Sequence, residues 1–229
     1  MKLLAIGAHP DDLEIYMFGT LAAAQAQGAE LVLAIATDGA RGGTLDPAEL
    51  SAIRRREATA AASILGLEPR FLDFPDGTLT ADPMLVGAVR TLIAETRPDL
   101  VLTHAPSDYH GDHRALSEAT RIAANFIAPV LWADTMQGAG FTPTHYVDVT
   151  AGFESKCRAI LAHVSQRPER FVAMARQLNG FRAAQANGGP GSYAEAYRFE
   201  PVFPFVDIRD LLPPAPPIRA VGAAAAPPG

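Results

Sequence analysis

The chain has 229 residues, 48% of them hydrophobic and 19% charged, with a formal net charge of -6. That composition excludes a disordered chain, supplies enough apolar material for one α/β domain, and leaves no basic footprint for nucleic acid. The single cysteine, Cys157, excludes an internal disulfide framework and a cysteine-rich zinc site.

The first apolar run, "KLLAIGA" (2–8), predicts a buried strand, and "HPDD" leads from it into a helical pattern over 12–26. Strands are then expected at 30–37, 70–74, 99–104 and 130–134. Helical spacing of apolar residues fills 48–65, 82–96 and 113–127 between them. This alternation predicts a Rossmann-like α/β fold, a predominantly parallel sheet with helices on both faces. After residue 140 the rhythm changes to a strand at "THYVDVT", helices at 150–163 and 168–186, and an extended piece at "AYRFEPVFP", read as an appended C-terminal α+β portion. Residues 1–212 are expected to form a single domain, and 213–229, rich in Pro and Ala, an extended tail without a packed core. No stretch approaches the roughly 18 uncharged residues of a membrane span, and the N-terminus lacks a signal-peptide layout, so a cytoplasmic protein is expected.

Ligands of open parallel sheets bind beyond the carboxyl ends of the strands, and in the common doubly wound order strands one and four are neighbours at the switch point. The loops after those two strands hold four of the six histidines: His9 in "AHPDD", and His104, His110 and His113 in "THAPSDYHGDH". Helix capping by Asp11, with Glu14 three residues on, accounts for part of the first loop. It explains neither His9 nor Asp12. Two histidines and a carboxylate converging from two loops make a three-ligand metal site with positions left open for water and substrate. The remaining acids and histidine, Asp11, His110 and Asp112, are then free for proton transfer, which favours hydrolysis. Three rivals remain: an iron oxygenase on the same two-histidine, one-carboxylate set, a dinucleotide-binding protein, and a non-enzymatic binding module. The second lacks GxGxxG spacing, and the third has no need of a base beside its metal.

"AHPDDLEIYMFGTLA" together with "DYHGDHRAL" resembles the PIG-L (LmbE-like) zinc deacetylases, with further likeness through "TDGARGG", "FPDG", "THYVDVT" and "LAHVSQ". The resemblance covers roughly residues 1 to 205. It departs from the common pattern at Phe18 and Gly111, neither of which is a ligand position. It implies that His9, Asp12 and His113 ligate one zinc ion per chain, with another divalent metal such as Fe2+ possible. Asp11 would be the general base, and His110 the second catalytic histidine, with Asp112 orienting it. Arg54 and Asp76 would contact substrate.

The reaction expected is removal of an N-acetyl group from an amino sugar or its conjugate, with an amidase on a larger N-acyl compound as the alternative. In this scheme Asp112 keeps His110 protonated, so that a charged imidazole faces the oxyanion. Other residues carry plainer expectations: His104 packed or hydrogen-bonded at a strand end, His145 structural, His163 bonded to helix-terminal carbonyls, and Arg54–Arg56 a solvated face. Tyr193 and Glu195 are expected at the pocket edge. The partner is a small N-acetylated molecule, and the aromatic "YRFEPVFPF" stretch suggests a homo-oligomer.

Overall fold

The computed structural model describes residues 1–217. Seven strands form one sheet in the order β3-β2-β1-β4-β5-β7-β6. Strands β1 (Lys2–Gly7), β2 (Glu30–Thr37), β3 (Arg70–Phe74), β4 (Leu100–His104) and β5 (Val130–Ala133) run parallel. Strand β7 (Ala194–Phe199) lies antiparallel to both β5 and β6 (His145–Asp148). The appended portion therefore extends the same sheet.

Strand β1 shows why two helical layers are needed. Leu3 and Ala5 join one hydrophobic cluster while Leu4 and Ile6 join another, because successive side chains leave opposite faces of a strand. The first cluster collects α1 (Asp12–Tyr16), α2 (Phe18–Ala26), α3 (Pro47–Ser63), α6 (Phe153–Leu161) and α7 (Glu169–Gln185). The second collects α4 (Pro83–Thr96) and α5 (Gly111–Ala124). Helices α3 and α4 open identically: Asp46 and Asp82 accept backbone N–H groups of the first turn, with proline at the first helical position.

Connections change faces between β1 and β4, which pair directly through Leu3–Leu100, Leu4–Val101 and Ala5–Leu102. This is the expected switch point. The helix expected over 12–26 is broken at Met17 (φ -134°, ψ -11°) into α1 and α2. Glu195, expected at the pocket edge, instead lies under that break: its two oxygens accept N–H groups of Gly19 and Thr20, and the buried Lys156 ammonium donates to it at 2.6 Å. Tyr193 stacks on Phe153 at 3.6 Å.

Residues 213–217 hold no helix or strand, and the Asp148 N–H donates to the Pro214 carbonyl at 2.9 Å, with Pro213 and Pro216 buried. The rest of the expected tail, 218–229, lies outside the described residues. Among the described residues no helix is long and apolar enough to cross a membrane.

Candidate active site and metal centre

At Ala8, just past the end of β1, the carbonyl still accepts the Thr37 backbone N–H at 2.8 Å, and side chains from the flanking strand ends add to it. The Ala8 N–H donates to His104 Nε2 at 3.0 Å, and its carbonyl accepts the Thr37 hydroxyl at 2.8 Å. Two strands thereby clamp the start of the turn. His9, Asp11 and Asp12 follow, all buried. Asp11 has φ 132° and ψ -19°, a positive-φ conformation that costs a non-glycine residue on the order of 1–3 kcal/mol. Its side chain caps no helix, and Glu14 faces the buried His163 at 3.2 Å, so the capping explanation of this loop does not hold.

Three ligand-capable groups meet above this turn. His9 Nδ1 lies 3.3 Å from Asp12 Oδ2 and 3.3 Å from His113 Nε2, and His113 Nε2 lies 3.4 Å from Asp12 Oδ1. Tetrahedral coordination with bonds of about 2.0–2.1 Å places ligand atoms about 3.3–3.4 Å apart, and each of these three contacts has that length, the two rings facing different oxygens of Asp12. The nitrogens not in the triangle face carboxylates: His9 Nε2 lies 3.1 Å from Asp112 and 3.2 Å from Asp76, and His113 Nδ1 lies 3.0 Å from Asp108. Such outer carboxylates fix ring orientation and tautomer in metal sites.

The electrostatics fit a cation. Burial disfavours a charged His9, yet Asp112 and Asp12 hold its pKa well above the ordinary imidazole value. Burial works against His113 too, and Asp12 and Asp108 outweigh it, raising that ring to about 9. Burial would raise Asp12, but His113 and His104 hold it well below the usual carboxylate range. Two protons cannot both occupy the 3.3 Å gap between His9 Nδ1 and His113 Nε2, whereas one metal ion satisfies all three groups.

Asp11 sits beside this triangle without belonging to it. Burial raises its carboxyl to about 6, with the Arg54 guanidinium opposing and Asp12 adding to the rise. Arg54 is the buried member of its arginine run: Nη1 donates to the Gly39 carbonyl at 3.0 Å, Nη2 to the Pro10 carbonyl at 2.6 Å, and Nη2 lies 3.1 Å from Asp11 Oδ1. Asp76 is likewise engaged, its second oxygen accepting the Arg41 N–H at 2.8 Å.

His110 differs from its expected state. Its Nδ1 accepts the Asp112 backbone N–H at 3.2 Å, which assigns the proton of the neutral ring to Nε2. The Asp112 carboxylate turns away to His9 and to the N–H groups of Gly77 and Leu79. Burial, followed by the charges of His9 and His113, holds His110 below the ordinary imidazole value, so a neutral donor replaces the expected imidazolium.

His104 is packed as expected, stacked on His113 at 3.7 Å and kept neutral, at about 4, by burial and by His113. It also forms a possible ligand set with Asp12 and His113, but its Nε2 is taken by the Ala8 N–H. His145 is structural, bonded to Thr144 and packed against Phe199. His163 faces Glu14, with Nε2 3.2 Å from its carboxylate, rather than helix-terminal carbonyls.

A cavity of about 330 Å³ opens over these groups. Loops following β1 to β5 all contribute: His9 and Asp11, Arg41 and Gly42, Asp76 and Gly77, Tyr109 and His110, and Met136. Gln166, Arg170 and Phe171 close it from the second half of the chain. Sequence reasoning gave none of those three a role, although Gln166 ends the "LAHVSQ" stretch, and gave Asp108 none although its spacing to His113 was visible.

A diacetylchitobiose deacetylase of Thermococcus kodakarensis is 34% identical over 73% of this chain and 71% of its own length. A 4-oxalmesaconate hydratase of Pseudomonas putida is 27% identical over 71% of this chain and 73% of its own. Among solved structures, the N,N'-diacetylchitobiose deacetylase of Pyrococcus horikoshii superposes with a TM-score of 0.73 at 26% identity, covering 92% of this chain and 88% of that one. A 4-carboxy-2-hydroxymuconate hydratase from Pseudomonas putida gives a TM-score of 0.77 at 24% identity, covering 88% and 97%, and shares the fold. The model of the PIG-L family, described as GlcNAc-PI de-N-acetylase, matches residues 4–124, just over half of the chain. That stretch runs from β1 through the end of α5 and carries His9, Asp12 and His113 within it, and on this ground the chain belongs to the PIG-L family.

Proposed function

We propose that this chain is a metal-dependent hydrolase that removes an N-acetyl group from an amino sugar or amino-sugar conjugate. The observation that carries the reading is the ligand triangle of His9, Asp12 and His113 with a partly neutral carboxyl, Asp11, next to it. His9 through Nδ1, Asp12 through its carboxylate and His113 through Nε2 would hold one zinc ion. When bound, such an ion polarises an acyl carbonyl and acidifies a water toward neutral pH.

The chain's own groups then do the proton work. Asp11 takes a proton from the attacking water, a task suited to a base whose pKa lies near the working pH. His110 Nε2–H donates a hydrogen bond to the carbonyl oxygen as negative charge gathers there. Asp11, once protonated, supplies the proton the departing amine needs. Asp76 and Asp112 hold the His9 ring, Asp108 holds the His113 ring, and Arg54 holds Asp11. In this reading Arg54 and Asp76, expected to contact substrate, act chiefly on the reacting groups although both also line the cavity.

The test is amine release from a panel of N-acetylated amino sugars by metal-depleted and zinc-reloaded protein, beside Asp11→Asn. Zinc-dependent release that falls at least about 10²-fold in kcat in the variant supports the mechanism. Iron-dependent oxygen consumption would instead support the oxygenase. Because one relative is a hydratase, the same protein is offered an unsaturated dicarboxylate; water addition without amine release would reassign it to hydration. The exposed Phe126, Val202, Phe203 and Val206 support a homo-oligomer, which light scattering tests.

A further inference from the structure

The cavity is acidic at its base and basic at its mouth. Asp11, Asp12 and Asp76 line the floor with the histidines, while Arg41 and Arg170 approach from two separate segments, the loop after β2 and the start of α7. Both arginines are exposed, and neither guanidinium has a carboxylate partner among the described residues. The buried arginines behave differently: Arg54 and Arg182 are each held by an aspartate.

Arg41 is unpaired although acids surround it. Its own N–H is anchored by Asp76 Oδ2 at 2.8 Å, yet its side chain lies over Gly77, where an added Cβ would come 3.1 Å from Arg41 Cδ. Gly77 has φ 76° and donates its N–H to Asp112, so Arg41 rests on the same turn that holds the His9 ring. Arg170 is positioned by the ring of Phe171, 4.4 Å from its guanidinium carbon. Two cations without carboxylate partners thus line one cavity from separate segments, and guanidinium groups bind phosphate and carboxylate through paired N–H donors.

Resting on the deacetylase reading above, we propose that the substrate carries an anionic group, a phosphate or a carboxylate, outside the acyl-binding floor, and that Arg41 and Arg170 grip it. The floor's own carboxylates would repel an anionic substrate, and the two mouth cations offset that repulsion where the substrate enters. Arg41 and Arg170 are thus specificity-determining residues that act in binding.

The test is calorimetric titration of the zinc-loaded protein with N-acetylglucosamine, its 1-phosphate, its 6-phosphate and N-acetylmuramic acid. Binding is read directly, so absence of acetate release from any of them would count against the deacetylase reading and leave this measurement standing. At least one anionic sugar is expected to bind tenfold or more tighter than N-acetylglucosamine. A phosphate sugar as the tightest identifies a phosphate, and N-acetylmuramic acid as the tightest identifies a carboxylate. In the double variant Arg41→Gln, Arg170→Gln that preference should fall below threefold, with Tm unchanged because both side chains are exposed. No preference for any anionic sugar overturns the proposal. So does a preference that survives in the double variant, which would place the anion on the metal centre.

Discussion

Arg54 and Asp11 are joined by a 3.1 Å ion pair, and the same guanidinium nitrogen donates to the carbonyl of Pro10, the residue before Asp11. One side chain thus holds both the carboxylate and the backbone leading into a residue at φ 132°. Arg54→Lys cannot reach Gly39, Pro10 and Asp11 together. It should lower kcat by roughly 10- to 100-fold, the scale of an ångström misplacement, with KM little changed and zinc retained. Steady-state kinetics with metal analysis checks this. A rise in KM alone would return Arg54 to the substrate-contact role that the family resemblance implies.

Asp108 touches His113 Nδ1 from outside the ligand triangle. Asp108→Asn should weaken zinc binding about 10- to 100-fold, the usual scale for an outer partner of a ligating histidine, and excess zinc should restore most activity. Competition with a chelator of known affinity reads the first effect. Unchanged affinity would remove Asp108 from the site.

Glu195 is expected to act on stability alone. It joins the buried Lys156 to the start of α2, and Glu195→Ala leaves an uncompensated ammonium in the core. Breaking a buried pair in this way costs about 3–5 kcal/mol. Denaturant unfolding measures it. The double variant Lys156→Met, Glu195→Leu should recover part of the loss.

His163 and Glu14 supply a pH-dependent contribution. Burial opposes the charged ring, but Glu14 outweighs it and raises the His163 pKa above its ordinary value. A folded-state pKa above the unfolded one contributes stability that is full below the unfolded value, near 6.5, and lost as pH rises through the folded value. The stability difference between wild type and His163→Gln should therefore be largest at pH 6 and below, and shrink as pH rises. Thermal unfolding from pH 5.5 to 9.5 checks the sign. A gap that widens with pH would refute the assignment.

The parallel core was legible because its signals are local. Each strand from β1 to β5 is a short apolar run, and the helices between them repeat at helical spacing, so element type follows from period alone. The break at Met17 was not legible, since its cause, Glu195, arrives from β7 far along the chain. The pairing of β7 between β5 and β6 depends on the same kind of distant contact.

For the candidate site, the chain alone determined which chemistry is present: His9, Asp11 and Asp12 in one loop, His110, Asp112 and His113 in another, at strand ends where ligands bind. Only the tertiary structure decided what each group faces. It turned the Asp112 carboxylate to His9 while its backbone N–H donated to His110, buried Arg54 against Asp11, and brought Arg170 to the cavity that Arg41 also lines. The reason is physical: residue type and spacing are carried by the local chain, whereas protonation, tautomer and the direction of a charged group depend on burial and on neighbours that folding brings from distant segments.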